Sequence, residues 1–100
     1  MTEAIEVFKE RIIAVLDEMA EKKPPARPGG VMYLQHLKNR VKSESAIGVS
    51  DLIEALANAG YSMEDIILFF YKIGVVSSHD DIVRLRDAVR RILAKRTLEE

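Results

Sequence analysis

The stretch DLIEALANAGYSMEDIILFFYKIGVVSSHDDI, residues 51–82, repeats one pattern of residues at an offset of fourteen. In this alignment Asp51 corresponds to Asp65, and Gly60 corresponds to Gly74. Each unit contains a capping residue, a short apolar run, a glycine and a hydrophobic residue after it. Serine and aspartate favour helix starts, and glycine favours the left-handed conformation that ends many helices. The repeat therefore predicts short helices joined by tight corners, with a duplicated functional unit as the alternative interpretation.

Apolar periodicity extends this prediction to an all-α domain, a compact bundle of about five helices. A long first helix, residues 3–22, is followed by a Pro/Gly linker, residues 23–30, and by a four-helix core, residues 31–96. The first helix carries an apolar stripe at alternating spacings of three and four residues. Its members are Ile5, Phe8, Ile12, Val15 and Met19, widened by Ile13, Leu16 and Ala20.

The core helices are predicted from their caps and from their inward-facing residues. We expect Ser50 to cap the third helix, residues 51–59, and Ser62 to cap the fourth, with Asp65 completing a capping box. The fourth helix is apolar nearly all round and is expected to be the most buried. Ser77 or Ser78 is expected to cap the fifth helix. The expected inner residues of the second, third and fifth helices are Val31, Leu34, Leu37 and Val41; Leu52, Ile53 and Leu56; and Ile82, Leu85, Val89 and Ile92.

Composition limits the possible functions. One hundred residues, 48% of them hydrophobic, correspond to one globular domain. The chain has no cysteine, which excludes disulfides and thiolate chemistry. Its longest apolar run, residues 66–71, is far shorter than the roughly twenty residues of a membrane span. We expect a soluble cytoplasmic protein.

Two motifs that suggest chemistry have local structural explanations. SSHDD, residues 77–81, holds a serine, His79 and two aspartates, but neighbouring residues cannot converge as a catalytic triad does. These residues are expected to cap the fifth helix. A metal site is also not indicated, because the two histidines, His36 and His79, have no partners at metal-ligand spacing. The third and fourth helices have the lengths of a helix-turn-helix, but Glu64 and Asp65 would face phosphates there. We expect no enzyme, no cofactor and no metal.

Two short segments resemble known families. QHLKNR, residues 35–40, resembles the phosphoacceptor helix of histidine phosphotransfer domains, and residues 47–56 are similar to the segment that follows it. That resemblance implies a phosphoacceptor role for His36, but Asn39 and Arg40 stand where the family has lysine and glycine. Residues 68–93 look like the closing helix pair of death-effector domains and, less closely, the end of sterile-alpha-motif domains, both helical adaptors. Several families fit about equally, so the sequence identifies none.

Charge is distributed in alternating blocks. Residues 22–42 carry six cations and no acid, and residues 84–96 carry six cations and one acid, although the net charge is −1. The blocks indicate either pairing within the molecule or basic surfaces for an acidic partner. Along the fifth helix, pairs of Asp80 with Arg84 and of Asp87 with Arg91 are expected. The candidate contacts to a nucleic-acid backbone are Lys22, Lys23, Arg27, Lys38, Lys42, Arg84, Arg91 and Lys95.

The main functional prediction is a protein–protein interaction module, acting as an adaptor, regulator or assembly subunit. Met32, Tyr33, His36 and Arg40 form an amphipathic patch on the outer face of the second helix, of a composition enriched at interfaces. The first helix and its stiff linker also suggest a homodimer. Nucleic-acid binding is the alternative, and a helical scaffold without a partner is a third interpretation.

Overall fold

The computed structural model describes residues 2–44 and 47–99, with side chains for 5–44 and 47–95. Within these residues the chain forms five helices and no strand, which confirms the all-α prediction. The helices are α1 (Thr2–Lys22), α2 (Gly30–Ser43), α3 (Val49–Asn58), α4 (Met63–Lys72) and α5 (His79–Glu99).

The helices pack around a single apolar core. Helix α1 lies against α2 and α4, while α3 contacts α2, α4 and α5. No buried residue of the described chain is polar or charged. The largest fully buried side chains are Phe69, Phe70, Ile12, Leu16, Leu37, Ile53, Leu56, Ile66, Ile73, Val41 and Val89. The expectation that α4 is the most buried helix is wrong, because Leu68 and Tyr71 are 51% and 56% exposed and α4 has three buried residues where α3 has four.

The fourteen-residue repeat corresponds to two equivalent helix corners. Gly60 and Gly74 adopt φ angles of 97° and 84°. After Gly60, the amide of Tyr61 donates to the carbonyl of Leu56 at 3.1 Å, and the equivalent bond after Gly74 has the same length. Both corners are Schellman motifs, in which a left-handed residue lets later amides satisfy the last helical carbonyls. This supports local corner chemistry as the origin of the repeat.

The predicted helix starts are correct for α4 and α5 and wrong for α3. The Ser62 hydroxyl accepts from the amide of Asp65, whose carboxylate accepts from the Ser62 amide, forming the expected capping box. The Ser78 hydroxyl likewise accepts from the amide of Asp81. Helix α3, however, begins at Val49 after Gly48, so Ser50 lies inside its first turn and caps nothing.

These two serines provide a matched test of capping. We expect Ser62→Ala to lower the free energy of unfolding by about 1 kcal/mol, because the Asp65 amide at the start of α4 loses the hydroxyl that accepts its hydrogen bond. Ser50→Ala should change it by less than about 0.5 kcal/mol. Urea denaturation followed by circular dichroism measures both, and equal losses would contradict the assigned caps.

The Pro/Gly linker is packed onto the corner between α3 and α4. The Arg27 amide donates to the carbonyl of Ala59 at 3.3 Å, and the buried Tyr61 hydroxyl donates to the carbonyl of Lys23 at 2.9 Å. Nearby, the Lys23 ammonium lies 2.9 Å from the Asp65 carboxylate. Because the linker is held at this corner and α1 contacts α2 and α4, helix α1 packs against its own chain.

The predictions of which residues face inward are wrong at the N-terminal ends of α1 and α2. In α1, Ile5 and Phe8 are 50% and 39% exposed, because the stripe enters the core only from Ile12 onwards. In α2, Val31 is 70% exposed and Gly30 is buried in its place. A Cβ at Gly30 would lie 2.5 Å from the Cβ of Pro25, so only glycine fits against the linker there and Val31 is turned outward.

Candidate functional site between helices α2 and α3

The predicted interaction residues lie on the solvent side of α2. Met32 is 66% exposed, Tyr33 is 43% exposed, and His36 and Arg40 are also exposed. Spacings of three or four residues bring them to one side of the helix. The structure thus confirms their exposure, while their role in binding stays a prediction.

This side of α2 borders a shallow groove of about 160 Å³ against α3. Helix α3 contributes Asp51, Glu54, Ala55 and Asn58 to the opposite wall. A second hollow of about 320 Å³ is also lined by Tyr33 and His36, together with Pro28, Gly29 and Met32. Tyr33 and His36 border both the groove and the hollow, so they lie at the centre of the surface that these two spaces form.

One end of the groove carries more acid than base. The Arg40 guanidinium donates to Glu44 at 3.2 Å and lies 3.5 Å from the Asp51 carboxylate. The hydrogen bond to Glu44 is the main cause that raises the pKa of Arg40. Glu54 forms no ion pair with any side chain that the structure describes. Arg40 is therefore held by carboxylates of its own chain, and the groove end presents an excess of negative charge.

Sequence patterning did not place Asp51, Glu54 and Asn58 in this site. Their spacing of three and four residues puts them on one polar side of α3, and that signal is visible in the sequence. Which helix this side would face depends on the packing of α2 against α3, which the pattern does not specify.

The first basic segment is largely neutralised inside the molecule. Lys22 pairs with Glu18, and Lys38 pairs with Asp17, each at 2.9 Å. Lys23 pairs with Asp65. Arg27 lies on the packed linker, and Lys42 is exposed. Of the two explanations for the charge blocks, pairing within the molecule accounts for most of the cations in residues 22–42.

The described cations of the second basic segment form no ion pair with a described residue. Arg84, Arg91 and Lys95 are exposed on α5, and the expected pairs of Asp80 with Arg84 and of Asp87 with Arg91 are not formed. The side chains are close enough along the helix, but exposed pairs gain little over solvation. Within the described residues α5 contacts neither α1 nor α2, so the two basic segments do not form one surface.

The sequence SSHDD forms the start of α5. Hydrogen bonds from Ser78 and from the Ser77 amide hold the pKa of Asp81 below its usual value, with a smaller contribution from Arg84. No group of three or more histidine, aspartate or glutamate side chains in the described chain could hold a metal ion. None of its helices is both long enough and apolar enough to cross a membrane.

Comparison with known proteins found no match to any family model, curated protein or solved structure.

Proposed function

We propose that this protein is a non-enzymatic interaction module, acting as an adaptor, regulator or assembly subunit, that holds a segment of a partner protein in the groove between α2 and α3. One observation carries the proposal: three consecutive large apolar residues are exposed in the first turn of α2, and one of them, Tyr33, lines this groove. Val31, Met32 and Tyr33 are 70%, 66% and 43% exposed. Contiguous apolar surface bordered by polar groups is typical of interaction sites.

The residue types also suit recognition of a protein. Tyrosine, methionine and arginine are enriched at interfaces, and a tyrosine at the centre of a patch provides a rigid anchor with a polar tip. Because Arg40 is already held by Glu44 and Asp51, it does not have to be fixed again when a partner binds. Such preorganised groups reduce the entropy lost on association.

The charge of the groove selects the partner's chemistry. Asp51 and Glu54 line the groove together with Arg40, and Glu44 is bonded to Arg40, so acids outnumber bases there. Tyr33 lines the other end of the groove, and Met32 lines the adjoining hollow. The fitting occupant is a segment in which apolar residues are followed by lysine or arginine. Complementary charge steers such a segment and sets its direction.

A positional-scanning peptide library tests this proposal. We expect selection of peptides with an apolar residue followed by a basic one, and a loss of affinity of at least about tenfold in Tyr33→Ala. Tyr71→Ala is the matched control, since Tyr71 is 56% exposed but lies on α4. Glu54→Lys should weaken the selected peptides as well, whereas Glu21→Lys, on α1, should not.

Two results would contradict the proposal. Selection of acidic peptides would overturn the assigned chemistry, and equal losses in Tyr33→Ala and Tyr71→Ala would move the site away from the groove. A library with no selected sequence would instead favour the helical scaffold without a partner.

Self-association belongs to the same proposal. The first turns of α1 expose Ile5, Val7 and Phe8, and these residues are the available apolar surface for a homodimer. The proposed location is the cytoplasm.

A further inference from the structure

Five cationic side chains cover the outer part of α5. None of the five forms an ion pair with a described residue, in contrast to Lys22, Lys23 and Lys38. All five are exposed: Arg84, Arg86, Arg90, Arg91 and Lys95. This part of α5 is therefore the largest unneutralised positive surface in the described chain.

These cations lie in two rows along the helix. Arg84, Arg91 and Lys95, at spacings of seven and four residues, form one row of about 16 Å, and Arg86 with Arg90 forms the other. The opposite side of α5 is held in the core by Leu85 and Val89, whose exposed fractions are 6% and 0%. Burial of that side fixes both rows toward solvent.

The residues between the rows are Val83, Asp87 and Ala94, all of them exposed. A helix about 10–12 Å wide fits the major groove of B-form DNA, which is about 12 Å wide. In that position the two rows point toward the phosphates on opposite walls. Asp87 then lies at the middle of the groove, away from the phosphates and near base edges, where cytosine offers an amino donor.

The composition favours phosphate over other anionic partners. Four of the five cations are arginines, whose planar guanidinium binds phosphate through two hydrogen bonds. A membrane surface would need a free apolar side, but the apolar side of α5 is buried. Among the described residues of α5, the exposed large apolar residue is Val83, which is 43% exposed.

We propose that the outer face of α5 binds the phosphate backbone of double-stranded DNA, with the helix lying along the major groove. The site is separate from the groove between α2 and α3, and the inference does not rest on the function proposed for that groove.

Fluorescence anisotropy with a labelled random-sequence duplex of about 20 base pairs tests this inference. Five phosphate contacts predict that log affinity falls with log salt with a slope of about −4.5, which is a loss of several hundredfold between about 50 and 200 mM salt. The double variant Arg84→Gln/Arg91→Gln should reduce this slope by about two. The matched control Lys22→Gln/Lys38→Gln removes the same charge and should leave the slope unchanged.

Three outcomes would overturn the site: no salt-sensitive binding, equal losses in both double variants, or tighter binding to acidic peptides or anionic vesicles than to the duplex. Circular dichroism of both double variants checks that they are folded. Arg84, Arg91 and Lys22 are exposed and Lys38 is half-buried, but none of the four belongs to the core, so their substitution should not disturb it.

Discussion

Replacing Phe70 with alanine is expected to lower the free energy of unfolding by about 3–5 kcal/mol, a large part of the roughly 5–15 kcal/mol that stabilises a domain. The Phe70 side chain is fully buried. Its ring packs edge-to-face on Phe69, with centroids 5.4 Å apart and an interplanar angle of 81°. The substitution removes the buried ring and its aromatic contact, and it leaves a cavity where the ring was.

Urea denaturation measures this loss, and the midpoint should fall by at least about 1 M. Phe8→Ala is the matched control, because Phe8 is 39% exposed on α1 and should cost less than about 1 kcal/mol. Similar midpoints for the two variants would show that α4 does not pack in the core as described.

The second large effect is expected at Gly60. Gly60→Ala should destabilise the protein by about 3 kcal/mol or more, because two costs combine there. The φ angle of 97° is unfavourable for alanine, and a Cβ would lie 2.6 Å from the backbone nitrogen of Arg27. The linker would have to move and would strain the hydrogen bond from Arg27 to Ala59.

The repeat supplies the control for this experiment. Gly74 has a φ angle of 84°, but a Cβ there would meet only a side-chain nitrogen of Arg11, at 3.5 Å. Gly74→Ala should therefore cost about 1–2 kcal/mol, which is the conformational part alone. The difference between the two denaturation midpoints measures the packing of the linker. Equal midpoints would mean that the linker is not held against the corner.

Linker packing also matters for the proposed groove. Pro28 and Gly29 line the hollow next to Met32, and the linker segment before them is bonded to Ala59 and Tyr61. The position of the first turn of α2, with its exposed apolar residues, thus depends on the same contacts that Gly60→Ala would disturb. This couples the stability of the corner to the geometry of the proposed interaction site.

The candidate site was only partly predictable. The exposure of Met32, Tyr33 and His36 followed from their position on the polar side of an amphipathic helix. Asp51 and Glu54 were not assigned to the site, because their contact with the α2 surface joins helices that are separate in sequence. Arg40 was predicted as part of the interaction patch, and only the fold shows the carboxylates that hold it.

By itself the sequence determined the five helices, the corners at Gly60 and Gly74, the cap at Ser62 and a cap at either Ser77 or Ser78. Each of these depends on backbone angles and hydrogen bonds within about five residues, which local residue types control. The tertiary structure decided that Gly30 and not Val31 faces inward. It also decided that Lys22, Lys23 and Lys38 are paired, whereas the described cations of α5 form no ion pair with a described residue. These outcomes depend on which distant surfaces meet, and many combinations of helix faces satisfy the same apolar periodicity.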